Sequence, residues 1–319
     1  MTTAAHIRTS LALLALAVPS VACLAGTPST GRAADTRLPL PPSVRVEHLT
    51  YRAAGGRISH ATVLLPGSYD PRRGPALPLV IAPHGRGVDG DGNARLWGDL
   101  PGVGGFAVVN PDGSGRHLSG RFAWGAPGDI ADLARMPQLV ERSLGVRIDR
   151  RRVYAVGGSM GAQETLLLVA RYPRLLAGAV AVDAATDFGR QYRNFAQLHC
   201  RSASCRRNWG GDLGQTLQRL ARREVGGTPE TARAAFARRS PLTYAARIAA
   251  SGVPIQVWWS RTDRLIRQSW LQSGRLVAQL RRLHPRARLT VVCGRWRHTH
   301  VLRYDRELPQ MLAGLGLLG

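Results

Sequence analysis

The sequence predicts an α/β fold, with a mostly parallel central sheet flanked by helices and a lid-like insertion. Three observations predict it. Short apolar runs such as LPLVIA and FAVV are bounded by Gly and Pro, as strands buried on both faces should be. Stretches with helical spacing of apolar residues separate these runs. The two patterns alternate along most of the chain, and parallel strands need such crossover helices.

The elements follow in order. Val44 to Tyr51 and Ile58 to Leu65 read as a hairpin around Gly55-Gly56, because paired Gly residues suit a turn between two apolar runs. Leu77 to Ala82 and Phe106 to Val109 are short buried strands. Asp129 to Leu144 reads as a helix, with Ile130, Leu133, Leu139, Val140 and Leu144 on its apolar face. Val153 to Val156 is a strand, Gly161 to Tyr172 a helix and Ala177 to Val182 a further strand. Ile255 to Trp259, Arg267 to Leu283, Arg288 to Val292 and Tyr304 to Leu315 continue as strand, helix, strand, helix. Residues 186–246 read as an irregular insertion holding Tyr192, Phe195 and Trp209. A connection that long inside a compact domain is usually functional.

The N-terminus is set apart. Met1 to about Ala25 reads as an export signal: His6 and Arg8 precede the apolar run LALLALAV, and small residues follow. Pro19 ends that run well short of the roughly 20 residues of a spanning helix. Cleavage is expected after Ala22, Ala25 or Ala33, with a lipid anchor on Cys23 as the alternative. Residues 1–33 are therefore signal and start of linker, 34–43 a Pro-rich linker, and 44–319 one catalytic-size domain. Export permits disulfides, and Cys200 and Cys205, close together in a polar stretch, are the expected pair. Cys293 ends an apolar run and is expected to be a buried strand residue.

Composition narrows the partners less than it first suggests. All 44 basic residues are Arg, against 20 acidic ones, giving a net charge of +24. An Arg-rich, Lys-free chain rich in Ala, Gly and Leu reads mainly as compositional bias, with an anionic cell-envelope surface as the partner it would favour. Arg150–Arg152, Arg222-Arg223 and Arg281-Arg282 lack interleaved aromatics, so no specific nucleic acid is expected. The Asp89–Asn93 stretch lacks the Gly and the bidentate carboxylate of a calcium loop. No dinucleotide fingerprint opens a helix, and neither metal nor cofactor is expected.

The chemistry rests on one pentapeptide and two later residues. Gly157-Gly158-Ser159-Met160-Gly161 lies between a strand and a helix, the context in which a G-x-S-x-G serine is thrust out of a sheet as a nucleophile. A serine hydroxyl needs a base, and the base needs an orienting carboxylate. Asp263 follows the strand Ile255 to Trp259 and is the preferred acid, with Asp183 and Asp187, after the preceding strand, as alternatives. His298 follows the last strand and is the preferred base, with His300 as the alternative. The oxyanion hole is expected from the amides of Met160 and of Arg86, the latter in the loop Pro83-His84-Gly85-Arg86-Gly87, where Pro83 has no N–H to offer. His84 is expected to support that loop.

The run VYAVGGSMGAQETLLLVARYPRLLAGAVAVDAATDF resembles the nucleophile region of prolyl oligopeptidase-like serine hydrolases, within the α/β-hydrolase superfamily. SPLTYAARIAASGVPIQVWWSRTDRLI resembles their acid region. The resemblance implies an α/β-hydrolase fold, with Ser159, Asp263 and His298 as nucleophile, acid and base, on a single catalytic domain without the propeller of the larger peptidases. Trp258-Trp259-Ser260 stands where an H-G pair is more usual, and the histidine stands in W-R-H-T. The expectation is an exported serine hydrolase that opens a carboxylic ester through an acyl-enzyme, its substrate a small molecule or a polymeric ester. The alternatives are a peptidase of the resembling type, acting on a peptide substrate, and a non-catalytic basic binding protein on the same scaffold.

Overall fold

The apolar runs pair into one eight-stranded sheet in the computed structural model, which describes residues 44–319. The signal, linker and Cys23 expectations lie outside those residues. The strands are β1 (Val44–Arg52), β2 (Ile58–Pro66), β3 (Leu77–Ile81), β4 (Ala107–Pro111), β5 (Ile148–Gly158), β6 (Gly178–Val182), β7 (Ile255–Ser260) and β8 (Leu289–Gly294). Their spatial order is β1-β2-β4-β3-β5-β6-β7-β8. β1 and β2 form the expected antiparallel hairpin, and β2 lies antiparallel to β4. From β4 onward every pairing is parallel. The carboxyl ends of β3, β5, β6, β7 and β8 therefore share one edge, where a ligand site in an open α/β sheet belongs.

Helices cover both faces. They are α1 (Gly90–Ala94), α2 (Leu100–Gly104), α3 (Pro127–Leu144), α4 (Met160–Arg171), α5 (Phe188–Phe195), α6 (Ala203–Trp209), α7 (Leu213–Val225), α8 (Arg233–Arg238), α9 (Ala245–Ala249), α10 (Ser273–Leu283) and α11 (Leu308–Ala313). Ile130, Leu133, Met136 and Val140 of α3 and Leu166 to Val169 of α4 bury against one face of the sheet, with Leu79, Ile81 and Ala155. On the other face Val80, Val108, Val156 and Val180 meet Trp97, Leu308 and Met311. Burial of this kind contributes about 25 cal/mol per Å² of apolar surface removed from water, so the two faces hold the sheet edge rigid beneath its loops.

Several expectations change. The insertion is helical: α5 to α8 pack Phe188, Tyr192, Phe195, Leu217, Val225 and Phe236 into a third cluster, rich in aromatic rings. The helix expected over Arg267 to Leu283 is broken by the left-handed Gln268 (φ 54°), a 3₁₀ turn at Ser269–Leu271 and then α10. The terminal helix begins at Leu308, because Pro309 is suited to the first turn of a helix and not to its interior. Cys293 is half-buried, since β8 is the edge strand and covered less completely than its neighbours. Among the described residues, no helix is long and apolar enough to cross a membrane.

Candidate active site

Ser159 stands between β5 and α4 with φ 59° and ψ −117°. A non-glycine residue at positive φ is strained and persists only where its surroundings fix it. Here its own amide donates to the Val182 carbonyl at 2.9 Å. The flanking glycines are required by close approach: a Cβ on Gly161 would overlap the Pro83 carbonyl oxygen, and one on Gly158 would crowd the Thr299 and Leu302 side chains. The loop that follows β8 thus packs directly on the serine turn.

That loop carries His298. Its Nδ1 lies 2.6 Å from Asp263 Oδ2, and the Asp263 side chain is fully buried. The other carboxylate oxygen accepts the amides of Leu265 (2.7 Å) and Ile266 (3.0 Å), which fixes its orientation. With Nδ1–H donated to the carboxylate, the lone pair of the imidazole is on Nε2. The Ser260 hydroxyl donates to the Trp296 carbonyl (2.7 Å) and accepts the Trp296 amide (3.0 Å), pinning the histidine loop to the end of β7.

Asp183, the alternative acid, joins the same cluster. It is fully buried at φ 50°, directly after β6. One oxygen accepts the Ser260 amide at 2.8 Å; the other accepts Trp296 Nε1 at 2.9 Å and the Thr299 amide at 2.8 Å. Burial, and secondarily the Asp263 charge, raise its carboxyl above the usual range. Ligand atoms of Asp183, Asp263 and His298 lie within 4.8 Å of one another. These atoms are already engaged: Asp263 and His298 bond to each other, and Asp183 accepts three N–H donors. Asp263 thus orients His298, while Asp183 holds the backbone and Trp296 of the histidine loop.

The remaining alternatives sit elsewhere. Asp187 caps α5, accepting the Arg190 amide at 2.9 Å. His300 is exposed. His84 is buried under the β3 loop, its ring nitrogens 2.8 and 3.1 Å from the carbonyls of Gly85 and Asp112. Cys200 and Cys205 are disulfide-bonded.

Ser159 lines a tight pocket of about 20 Å³ with Arg86, Trp124, Met160, Phe195 and Ile266. The insertion supplies one wall of it, as Phe195 belongs to α5. The Arg86 guanidinium stacks on the ring of Trp209, 5.3 Å from its centroid. The insertion is also tied down. Glu224 of α7, fully buried, accepts the consecutive amides of Arg116 (2.5 Å), His117 (2.8 Å) and Leu118 (2.8 Å), and Arg239 lies 3.5 Å away.

Sequence reasoning missed this, and it missed a buried acidic cluster behind the loop that follows β3. Asp129, Asp132 and Glu164 share a small cavity there with Tyr51 and His84. Asp129 accepts the Ser114 hydroxyl at 2.8 Å, but its second oxygen has no partner among the described residues. Burial pushes its carboxyl up to about 7, with the Asp132 charge adding to the effect. Burial also raises Glu164, helped by Asp129. The spacing Asp129, Asp132 on one helix face was the available signal.

No family model matches the chain. It is 35% identical over 112 residues to poly(3-hydroxyalkanoate) depolymerase C of Paucimonas lemoignei, a match spanning 33% of this chain and 27% of that protein. Among solved structures, a puromycin-hydrolyzing peptidase of Mycobacterium tuberculosis matches at TM-score 0.60 and 20% identity, over 88% of this chain and 40% of that one. S-formylglutathione hydrolase of Staphylococcus aureus matches at TM-score 0.58 and 15% identity, over 86% of this chain and 98% of that one. The chain thus spans well under two thirds of the depolymerase and of the peptidase, and nearly the whole of the formylglutathione hydrolase. The sheet order, the strained serine turn at the end of β5 and these likenesses give one conclusion: the chain adopts an α/β-hydrolase fold.

Proposed function

We propose that the chain is an exported serine hydrolase that cleaves a carboxylic ester with Ser159 as nucleophile, His298 as base and Asp263 as orienting acid. The observation that carries this reading is the 2.6 Å bond between His298 and a fully buried Asp263, on a loop packed against a serine turn of positive φ. Ser159 Oγ attacks the acyl carbonyl while Nε2 of His298 takes its proton. Charge developing on the carbonyl oxygen meets the amides of Met160 and Arg86, neither of which donates to another described residue. The N-terminus of α4 adds its dipole at the same point. Collapse expels the alcohol, which leaves with the proton from His298. Water then attacks the acyl-enzyme, losing its proton to His298, and the free acid departs as Ser159 recovers its own.

The depolymerase likeness favours an ester over a peptide, because that relative acts on a polyester. The disulfide between Cys200 and Cys205 supports an oxidising compartment, and so does the export signal read at residues 1–25. The test is turnover of a panel of acyl esters beside aminopeptidase and prolyl substrates. The expected result is ester hydrolysis that falls by about 10⁴-fold or more in Ser159→Ala. Preferential cleavage of the peptide substrates would move the assignment to a peptidase.

A further inference from the structure

Among the described residues, Arg86 is the only charged one lining the nucleophile's pocket, and the hydrolysis above uses its backbone amide alone. Arg86 lines the pocket with Ser159. Among the described residues it has no carboxylate partner and donates no side-chain hydrogen bond, its contact being the face of Trp209. Burial pushes it down to about 10, with no carboxylate to offset the loss of water. The side chain is half-buried, and no carboxylate faces it. A guanidinium left without a counter-ion at the edge of a reaction pocket can take one from the ligand.

The geometry narrows that partner. Trp209 covers one face of the guanidinium, leaving the N–H edges, whose fork matches a carboxylate. The surrounding wall of Trp124, Met160, Phe195, Leu198 and Ile266 is apolar, and no second cation lines the pocket. One guanidinium in an apolar slot suits a monoanion on a short alkyl chain better than a dianionic phosphate. Two further acceptors line the pocket: the Oε1 atoms of Gln163 and Gln191 have no partner among the described residues. Their amide nitrogens are already donated, from Gln163 to Trp124 and Arg239 carbonyls and from Gln191 to that of Leu265, so these oxygens are fixed as acceptors. They would take a hydroxyl donor.

We propose that the Arg86 guanidinium, stacked on Trp209 beside Ser159, makes the pocket selective for esters whose short acyl chain ends in a free carboxylate. This rests on the serine-hydrolase reading. The disulfide-closed segment before Trp209 then has a role in specificity, because it holds the ring that orients the guanidinium.

The test compares p-nitrophenyl hydrogen glutarate with p-nitrophenyl pentanoate, which share a five-carbon acyl chain and differ in the terminal carboxylate. Wild type should favour the glutarate ester by about 10- to 100-fold in kcat/KM. In Arg86→Met that ratio should fall to near one; both esters use the same oxyanion amide, so the ratio isolates the side chain. Arg86→Gln carries the same expectation should Met impair folding. Arg275→Met, an exposed Arg in a different cleft, removes the same charge from the surface and should keep the preference. A wild-type ratio near one, a preference that survives in Arg86→Met, or an equal loss in Arg275→Met would overturn the proposal. Binding by Ser159→Ala separates this from the catalytic reading. Calorimetry should show monomethyl glutarate binding more tightly than dimethyl glutarate, with the difference lost when Arg86→Met is added, whether or not any ester is turned over. Equal affinity for the two would also overturn it.

Discussion

Replacing Asp129 with Asn isolates the electrostatic cost of the acidic cluster behind the loop that follows β3. In the folded protein burial raises this carboxyl from about 3.8 to about 7. The folded state therefore holds the proton between those values while the unfolded chain has released it. Stability is fully present below about pH 4 and is lost as pH rises through 7. At about 1.36 kcal/mol per unit, the stability tied to this group falls by about 2–3 kcal/mol between pH 5 and pH 8. Asn keeps the oxygen that accepts Ser114, and its amide hydrogens take the place of the unpartnered Oδ2, beside Tyr51 and Glu164. Urea unfolding at both pH values is the assay, with the midpoint and slope read separately. Asp129→Asn should gain about 2–3 kcal/mol relative to wild type on moving from pH 5 to pH 8. Parallel curves for the two proteins would refute the reasoning, and so would a variant that loses ground at the higher pH.

Two other substitutions probe the supports of the site. Asp183→Asn must turn an NH₂ toward one of three buried N–H donors, which should lower stability by about 1–3 kcal/mol. The loosened histidine loop should lower kcat by about 10- to 100-fold with little change in KM; unchanged melting and kcat would contradict the positioning argument. Glu224→Gln leaves Arg239 without its buried counter-charge and at least one loop amide without an acceptor. The cost should be about 3–5 kcal/mol, read as a melting point lower by about 10 °C. A shift within about 2 °C would show that the insertion is held by other contacts.

The parts of this molecule that were legible in the sequence are those whose cause is local. The Val and Ala runs of β3 to β7 form strands because each is apolar on both faces, and the glycines around Ser159 announce the turn that needs them. The insertion was not legible as helix, although Phe188, Tyr192 and Phe195 repeat at helical spacing, because the Gly210-Gly211 and Gly226-Gly227 pairs cut it into short pieces. Asp183 and Asp263 could not be separated from each other, for a physical reason: β6 and β7 pair in parallel with Val182 opposite Trp258, so both aspartates emerge at the same place on the sheet edge. The structure uses both, one against His298 and one against the backbone of its loop. Glu224 beneath residues 116–118, and Trp209 over Arg86, depend on contacts between distant segments that no periodicity encodes.

The central claim, that Ser159 is an activated nucleophile, is tested most directly by labelling the folded protein with a fluorophosphonate and locating the adduct by peptide mass. The account predicts one phosphonyl group per chain on Ser159, absent in Ser159→Ala and strongly slowed in His298→Ala. Equal labelling of wild type and Ser159→Ala, or no labelling of the folded wild-type protein, would contradict it.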